Sequence, residues 1–228
     1  MQLSIAYERR GAYYGHVKRY RYLLLDWDGN LAKTLDIWLA SLKISLERHG
    51  HFLHDKEIGA DFSAFQDRMQ HVAIPDLQKI IDEATEIATL RVPDVELYPH
   101  VREVLGSLCD IGVRLALVTT SLHAQIDPLL AKYGLAKCFS AVVCGDDVTQ
   151  QKPAAEPLET ALRLLGGDKK TAVMIGDSEK DIVAATNAGI DSVLFHPSSH
   201  EVFYDLKKLR QLHPTYIVQD LREILAFV

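Results

Sequence analysis

The segment YLLLDWDGN at residues 22–30 decides the fold of this chain, because a short, wholly apolar run ends abruptly in two aspartates. Continuous apolar runs of about four to eight residues are typical of strands that are buried on both faces, as in a parallel sheet. Further short apolar runs with this character span residues 113–118, 141–143, 172–175, 192–195 and 216–218. The pattern therefore predicts a sheet of several buried strands.

Amphipathic helical patterns lie between these apolar runs, and several of them stop at a glycine. They span residues 101–108, 122–133, 155–165 and 179–187. Strands that alternate with helices predict right-handed βαβ units, and hence an α/β fold with a doubly wound, Rossmann-like parallel sheet. In such sheets ligands bind beyond the carboxyl ends of the strands.

Residues 35–97 interrupt this alternation, because they contain helical patterns at 35–49, 63–72 and 76–90 and no good strand. They also hold 12 acidic residues against 6 basic ones. We interpret them as a small helical cap inserted into a catalytic core that comprises residues 22–34 and 98–228. We expect its aromatic side chains, Trp38, Phe52, Phe62 and Phe65, to form the core of the cap, with the alternative that one of them lines the substrate pocket.

Residues 1–21 form an N-terminal extension to which we assign no function. The pattern there fits a short hairpin as well as a loose extended segment.

The composition excludes several classes of protein. With 228 residues, 48% of them hydrophobic, and a net charge of −6, the chain is neither disordered nor a typical binder of nucleic acids or anionic membranes. It has no apolar run near the roughly 18–20 residues that span a bilayer.

The cysteines Cys109, Cys138 and Cys144 form no C-x-x-C pair, and residues 1–21 resemble no secretion signal. We therefore expect reduced thiols in a cytoplasmic protein. The oligomeric state stays open.

Polar clusters follow the apolar runs at or just beyond the point where each run ends. They are Asp26-Trp27-Asp28-Gly29, Thr119-Thr120-Ser121, Lys152-Pro153 and Gly176-Asp177-Ser178 with Asp181. Because the carboxyl ends of parallel strands meet at one edge of a sheet, we expect these clusters to converge there. One such cluster alone is commonly a turn or a helix cap, whereas several in succession indicate a site.

The chemistry of the converging groups indicates a phosphoryl substrate. Asp26, Asp28 and Asp177 concentrate negative charge that is unfavourable without a cation, and their hard oxygens favour Mg²⁺ over Zn²⁺. Protein-bound Mg²⁺ usually has one or two carboxylate ligands plus a substrate phosphate. Asp181, one helical turn beyond Asp177, would support Asp177 without binding the metal itself.

Other groups at this edge suit the phosphoryl oxygens. Gly29 allows a tight turn that can aim the N–H groups of Trp27 and Asp28 at an anion. Thr119 or Thr120 offers a hydroxyl donor, and Lys152 offers a positive charge.

The segments Asp26-Trp27-Asp28-Gly29-Asn30-Leu31, Thr119, Lys152-Pro153 and Gly176-Asp177-Ser178-x-x-Asp181 resemble, in this order, the four motifs of the haloacid dehalogenase-like superfamily. The similarity spans roughly residues 22–220. It is greatest to the branch with a helical cap between the first two motifs, which includes phosphoglycolate phosphatase-like and β-phosphoglucomutase-like enzymes.

The resemblance implies a role for each of these residues. Asp26 would be the nucleophile that forms an aspartyl-phosphate, and Asp28 the general acid and base, with its carbonyl also on Mg²⁺. Asp177 would be a further Mg²⁺ ligand. Thr119 would bind the phosphoryl group, and Lys152 would neutralise charge near Asp26.

The chain departs from the superfamily pattern at three positions. Asn30 stands where Thr is usual, Lys33 where many relatives have an acidic residue near the cap hinge, and His100 where many have Gly. We expect the last two to bear on substrate choice, with Lys33 meeting an anionic leaving group.

Our main hypothesis is a Mg²⁺-dependent phosphatase acting on a small phosphorylated metabolite, either phosphoglycolate-like or a sugar phosphate. A sugar-phosphate mutase uses the same core and is the enzymatic alternative. A dehalogenase or a phosphonate hydrolase is disfavoured by the presence of Asp28. A catalytically idle binding module is the alternative from another class, and the intact set of Asp26, Asp28, Lys152 and Asp177 opposes it.

Overall fold

The computed structural model describes residues 19–59, 74 and 76–228 of the chain. Three sequence-based expectations therefore lie outside the described residues. They are the hairpin or extension in residues 1–18, the helix at 63–72, and the placement of Phe62 and Phe65 in the cap.

Among the described residues, six strands form one parallel sheet in the order β3-β2-β1-β4-β5-β6. These strands are β1 (Tyr22–Leu25), β2 (Arg114–Val118), β3 (Phe139–Val143), β4 (Ala172–Gly176), β5 (Asp191–Phe195) and β6 (Tyr216–Val218). This order is that of doubly wound folds, in which the chain reverses direction across the sheet beside the first strand. The predicted fold class is confirmed.

Helices cover both faces of this sheet. They are α4 (Val101–Asp110), α5 (His123–Tyr133), α6 (Glu156–Leu165), α7 (Glu179–Ala188) and α8 (Leu206–Gln211). Successive side chains of a strand point to opposite faces, so Leu23 and Leu25 pack with α4 and α5 while Leu24 packs with α6 and α7. This two-sided burial is the physical reason why the strands have continuous apolar sequences.

The inserted segment contains α1 (Thr34–Arg48), α2 (Asp55–Gly59) and α3 (Leu77–Arg91). These helices pack around an apolar cluster of their own, formed by Leu42, Leu46, Ile58, Ile80 and Ala84. The expectation for Phe52 is wrong, because its side chain is 80% exposed. Phe52 follows the end of α1, where no helix face directs it inward.

The two connections between the insert and the sheet lie side by side. Ala32 pairs with Leu97 in an isolated antiparallel bridge. The Lys33 N–H donates to the carbonyl of Glu96, and the Lys33 ammonium lies 3.0 Å from the Glu96 carboxylate. His100 adopts a left-handed conformation (φ 65°) before α4, which glycine adopts more easily than other residues. Its ring contacts Glu103 at 2.9 Å.

No helix in the described part of the chain has both the length and the apolarity needed to cross a bilayer.

Replacing Leu24 by alanine should lower the free energy of unfolding by about 2–5 kcal/mol, because this fully buried side chain lies at the centre of the sheet and would leave a cavity. Equilibrium urea denaturation measures the change. The control is Leu164→Ala, whose side chain is 53% exposed and whose loss should change stability by no more than about 0.5 kcal/mol. Equal effects of the two substitutions would contradict this account of the core.

Candidate active site

Four loops at the carboxyl edge of the sheet bring the predicted polar residues together. Asp26 follows β1, Thr119 follows β2, Lys152 lies in the loop after β3, and Asp177 follows β4. All four are buried, as is Asp181 in the first turn of α7. Strands β1 and β4 are neighbours, so Asp26 and Asp177 flank the position where the strand order reverses.

The Lys152 ammonium lies at the centre of this group. It is 2.8 Å from Oδ1 of Asp26 and 2.6 Å from Oδ1 of Asp181, and it donates to the carbonyl of Val118 at 3.0 Å. These three acceptors match the three donors of an ammonium. Burial alone would lower the pKa of Lys152, but the charges of Asp181 and Asp26 outweigh it and raise the pKa. Lys152 is therefore a fixed positive charge.

Asp181 has partners that the spacing of its motif did not indicate. Besides Lys152, its carboxylate accepts hydrogen bonds from the hydroxyl of Ser178 at 2.7 Å and from the Ser178 N–H at 3.1 Å. One oxygen of Asp181 also lies within 4.8 Å of ligand atoms of Asp26 and Asp177. Asp181 thus orients the lysine and caps α7 beside the other carboxylates.

The carboxylates at this edge outnumber the cations that balance them. Asp26, Asp177 and Asp181 are all buried, with one ammonium among them. Burial, with the charges of Asp181 and Asp28, raises the pKa of Asp26 to about 7 against the opposing effect of Lys152. Burial and the two carboxylates of Asp181 and Asp26 also raise the pKa of Asp177. A hard divalent cation would neutralise the excess charge, so these residues fit Mg²⁺.

Tyr204 is a residue of the site that the sequence analysis missed. It comes from the segment after β5, and its hydroxyl donates to Oδ2 of Asp177 at 2.8 Å. No motif or regular pattern marks this position, because Tyr204 lies in an irregular stretch between a short 3₁₀ helix (Ser198–Val202) and α8. Tyr204 fixes the orientation of the carboxylate that is the best candidate for metal binding.

The loop after β2 faces Asp28. The Ser121 hydroxyl donates to Oδ2 of Asp28 at 2.7 Å, and the Thr119 hydroxyl lies 3.4 Å from the same oxygen. The Ser121 N–H donates to the Thr119 oxygen at 3.1 Å. Thr120 lines a cavity that Asp26, Asp28 and Asp177 also line. Ser121 is a further contact that the sequence placed in the right cluster but did not single out.

The turn after β1 depends on Gly29 and Asn30. The Trp27 carbonyl accepts hydrogen bonds from the N–H groups of Leu31 and Ala32, while the Trp27 side chain is buried in the core. The Asn30 amide donates to the carbonyls of Asp26 and Ile175, so the residue that departs from the superfamily pattern ties the ends of β1 and β4 together. Among the described residues, no hydrogen bond engages the N–H of Trp27, which leaves that donor available to an anion.

A cavity of about 1240 Å³ opens above these groups. Asp26, Asp28 and Asp177 lie at its base, and Trp38 of α1 contributes from the insert. Cationic side chains also line it, namely Lys56, Lys180, Lys207, Lys208 and Arg210. Neither Lys33 nor His100 is part of its lining, since the salt bridge to Glu96 and the contact with Glu103 hold them elsewhere.

Comparisons with known proteins show the family and the fold of the chain. The family of haloacid dehalogenase-like hydrolases matches residues 23–195. Pyrophosphatase PpaX of Oceanobacillus iheyensis is 27% identical over 91% of this chain and 96% of that protein. A phosphoglycolate phosphatase of Agrobacterium fabrum is 38% identical over 42% of this chain and 41% of its own length. A crystal structure of a haloacid dehalogenase-like protein of unknown function from Agrobacterium tumefaciens superposes with a TM-score of 0.80 at 19% identity, over 91% of this chain and 96% of that one.

Replacing Gly29 by alanine should weaken metal binding strongly. Gly29 has φ of 72°, and an added Cβ would lie 2.1 Å from Oδ2 of Asp177, so the carboxylate must move. Gly189→Ala is the matched control, because its φ is 69° but nothing lies within 4 Å of the added atom. Both variants should lose roughly 1–2 kcal/mol of stability to backbone strain. Calorimetric titration with Mg²⁺ should show a loss of affinity in Gly29→Ala but not in Gly189→Ala. Equal affinities in the two variants would contradict the expected clash with Asp177.

Tyr204→Phe should lower the affinity for the metal by roughly 10–100-fold, because it removes the hydrogen bond that orients Asp177. The same titration measures this effect, and circular dichroism checks that the fold is retained. Tyr22→Phe serves as the control, since its hydroxyl has only a long contact of 3.4 Å to the carbonyl of Gly166. An unchanged Mg²⁺ affinity in Tyr204→Phe would show that Asp177 does not need this support.

Proposed function

Because the chain belongs to the family of haloacid dehalogenase-like hydrolases, we propose that it is a Mg²⁺-dependent phosphatase acting through an aspartyl-phosphate on Asp26. The observation that carries the proposal is the buried group of Asp26, Lys152 and Asp177 at the carboxyl edge of the sheet. Carboxylates are established nucleophiles toward phosphorus, and this one is oriented by an ion pair.

The first step transfers the phosphoryl group to the enzyme. Lys152 holds Oδ1 of Asp26 at 2.8 Å and so orients the carboxylate toward the substrate. A carboxylate oxygen of Asp26 forms a bond to phosphorus while the bond from phosphorus to the leaving oxygen breaks. Asp28, held by the Ser121 hydroxyl, donates a proton to that leaving oxygen.

The second step releases inorganic phosphate. Asp28, now a carboxylate, takes a proton from a water molecule as the water oxygen bonds to phosphorus, and the bond to Asp26 breaks. The Thr119 and Thr120 hydroxyls and the N–H groups of Trp27 and Asp28 are proposed to bind the phosphoryl oxygens.

The metal ligands are proposed to be the side chains of Asp26 and Asp177 with the carbonyl of Asp28. Bound there, Mg²⁺ would supply preorganised positive charge against the phosphoryl oxygens, which is the largest contribution in reactions of this type. Asp181 acts indirectly, since it holds Lys152.

The substrate is proposed to be a small phosphorylated metabolite with a second negative group. The cations that line the same cavity as the site aspartates, Lys56, Lys180, Lys207, Lys208 and Arg210, support this choice because such side chains bind anionic groups. The names of the relatives, pyrophosphatase and phosphoglycolate phosphatase, point to anions of this kind for those proteins.

We also propose that residues 35–97 act as a cap over a core of residues 22–34 and 98–228. The separate apolar cluster of α1, α2 and α3 supports this division, as do the paired connections at Lys33 and Glu96. Closure of such a cap would exclude water other than the attacking molecule.

The free thiols of Cys109, Cys138 and Cys144 support a reducing, cytoplasmic environment.

Asp26→Asn should reduce the turnover number by roughly four orders of magnitude, because an amide cannot act as the nucleophile. The fold should persist, since Lys152 keeps Asp181 as a partner. The assay is Mg²⁺-dependent phosphate release from a panel of phosphorylated metabolites, with EDTA abolishing the activity and added Mg²⁺ restoring it. Asp110→Asn, at an exposed position of α4, is the control and should retain full activity.

Further measurements separate the alternatives. Mass spectrometry of acid-quenched enzyme should find a phosphoryl adduct on the peptide that contains Asp26. Undiminished turnover of Asp26→Asn would exclude the proposed nucleophile. Conversion of glucose 1-phosphate into glucose 6-phosphate, without release of phosphate, would indicate a mutase. A folded protein that hydrolyses no phosphoester with Mg²⁺ would indicate a binding module.

A further inference from the structure

A second group of metal-ligating side chains lies outside the candidate active site. It comprises His123, at the start of α5, and three residues of the loop after β3, namely Cys144, Asp146 and Asp147. One ligand atom of each lies within 4.8 Å of those of all the others. None of these residues lines the catalytic cavity, so the proposed phosphatase reaction does not account for them.

The imidazole of His123 is held in the orientation that metal-binding histidines have. Its Nδ1 lies 3.1 Å from a carboxylate oxygen of Asp127, one turn along α5, and its Nε2 lies 2.8 Å from Oδ2 of Asp147. Both ring nitrogens therefore face carboxylates. A metal at Nε2 would replace the proton that Nε2 shares with Asp147, and the contact of Nδ1 with Asp127 would still support the ring, as in most histidine ligands of proteins.

The thiol of Cys144 is an independent sign of a missing ligand. Cys144 is fully buried, and no hydrogen bond among the described residues uses its sulfur. Its sulfur lies within 4.8 Å of a carboxylate oxygen of Asp146 and of Asp147, so a thiolate there would share a metal with them.

We propose that His123, Cys144, Asp146 and Asp147 bind a transition-metal ion of the Zn²⁺ class, at a site separate from the Mg²⁺ site. One imidazole, one thiolate and carboxylate oxygens form a mixed donor set that suits Zn²⁺ and not Mg²⁺. As the metal–sulfur bond forms, the thiol proton passes to solvent, and no electron is transferred. Side-chain exposures of 35% for His123 and 37% for Asp147 leave a path from solvent.

The bound ion would join the loops after β2 and β3. The Gly145 N–H donates to the carbonyl of Ser121 at 2.9 Å, and a Cβ at Gly145 would lie 2.4 Å from the carbonyl of Thr120. The two loops are therefore already in close contact next to the proposed metal ligands. Binding should stabilise the segment that carries Thr119 and Ser121, and thus the folded protein as a whole.

Titration of the full chain with Co²⁺, in a reducing buffer with excess Mg²⁺ to fill the acidic site, tests the proposal. We expect one tightly bound ion per chain, a thiolate-to-cobalt charge-transfer band in the near ultraviolet, displacement by Zn²⁺, and a higher melting temperature. Asp177→Asn should retain the band, because the ion does not bind at that carboxylate.

Cys144→Ser should abolish the charge-transfer band, and both Cys144→Ser and His123→Ala should lower the affinity by roughly 10–100-fold. Cys138→Ser, which removes a thiol elsewhere, is the control and should retain the band and the affinity. His123 is partly exposed, so its replacement keeps the test valid even if Cys144→Ser does not fold.

Three results would overturn the proposal. They are the absence of a thiolate band, loss of that band in Cys138→Ser with retention in Cys144→Ser, and an unchanged affinity in His123→Ala. All three are independent of phosphatase activity, so failure here leaves the proposed function untouched.

Discussion

The buried ammonium of Lys152 is the interaction on which the candidate site depends. Its acceptors belong to three separate parts of the chain, the turn after β1, the end of β2 and the first turn of α7. An unpaired buried charge is unfavourable by about 3–5 kcal/mol, so the lysine and its carboxylates must be placed together. Even so, three buried carboxylates exceed one ammonium. Burial and this excess of carboxylates raise the pKa of Asp26 and of Asp177, and a further cation would neutralise the excess, which is the physical basis for the proposed metal.

Much of this arrangement could be predicted from the sequence, for a reason that lies in the sheet. Parallel strands buried on both faces need continuous apolar runs, so the positions of β1, β2 and β4 are evident in the sequence. Once the strands are parallel, residues that follow them must meet at one edge. The proximity of Asp26 to Lys152 and to Asp177 follows from this topology, although these residues are far apart along the chain.

The partners that the sequence did not reveal come from irregular segments. Tyr204 reaches Asp177 from the irregular stretch before α8, and Ser121 reaches Asp28 from a loop. Such contacts depend on the path of a few residues with no periodic pattern, so spacing alone cannot place them. Phe52 shows the converse error, since hydrophobicity predicted burial but the position outside a helix leaves it exposed. In both cases the local backbone path, and not the residue type, decides the outcome.

The segment after β5 also connects the acidic site to the insert. A Cβ at Gly59 of α2 would lie 2.6 Å from the carbonyl of Val202, so helix and segment touch backbone to backbone. Two residues further on, Tyr204 binds Asp177. The short stretch from Val202 to Tyr204 therefore contacts both the insert and the proposed metal ligand.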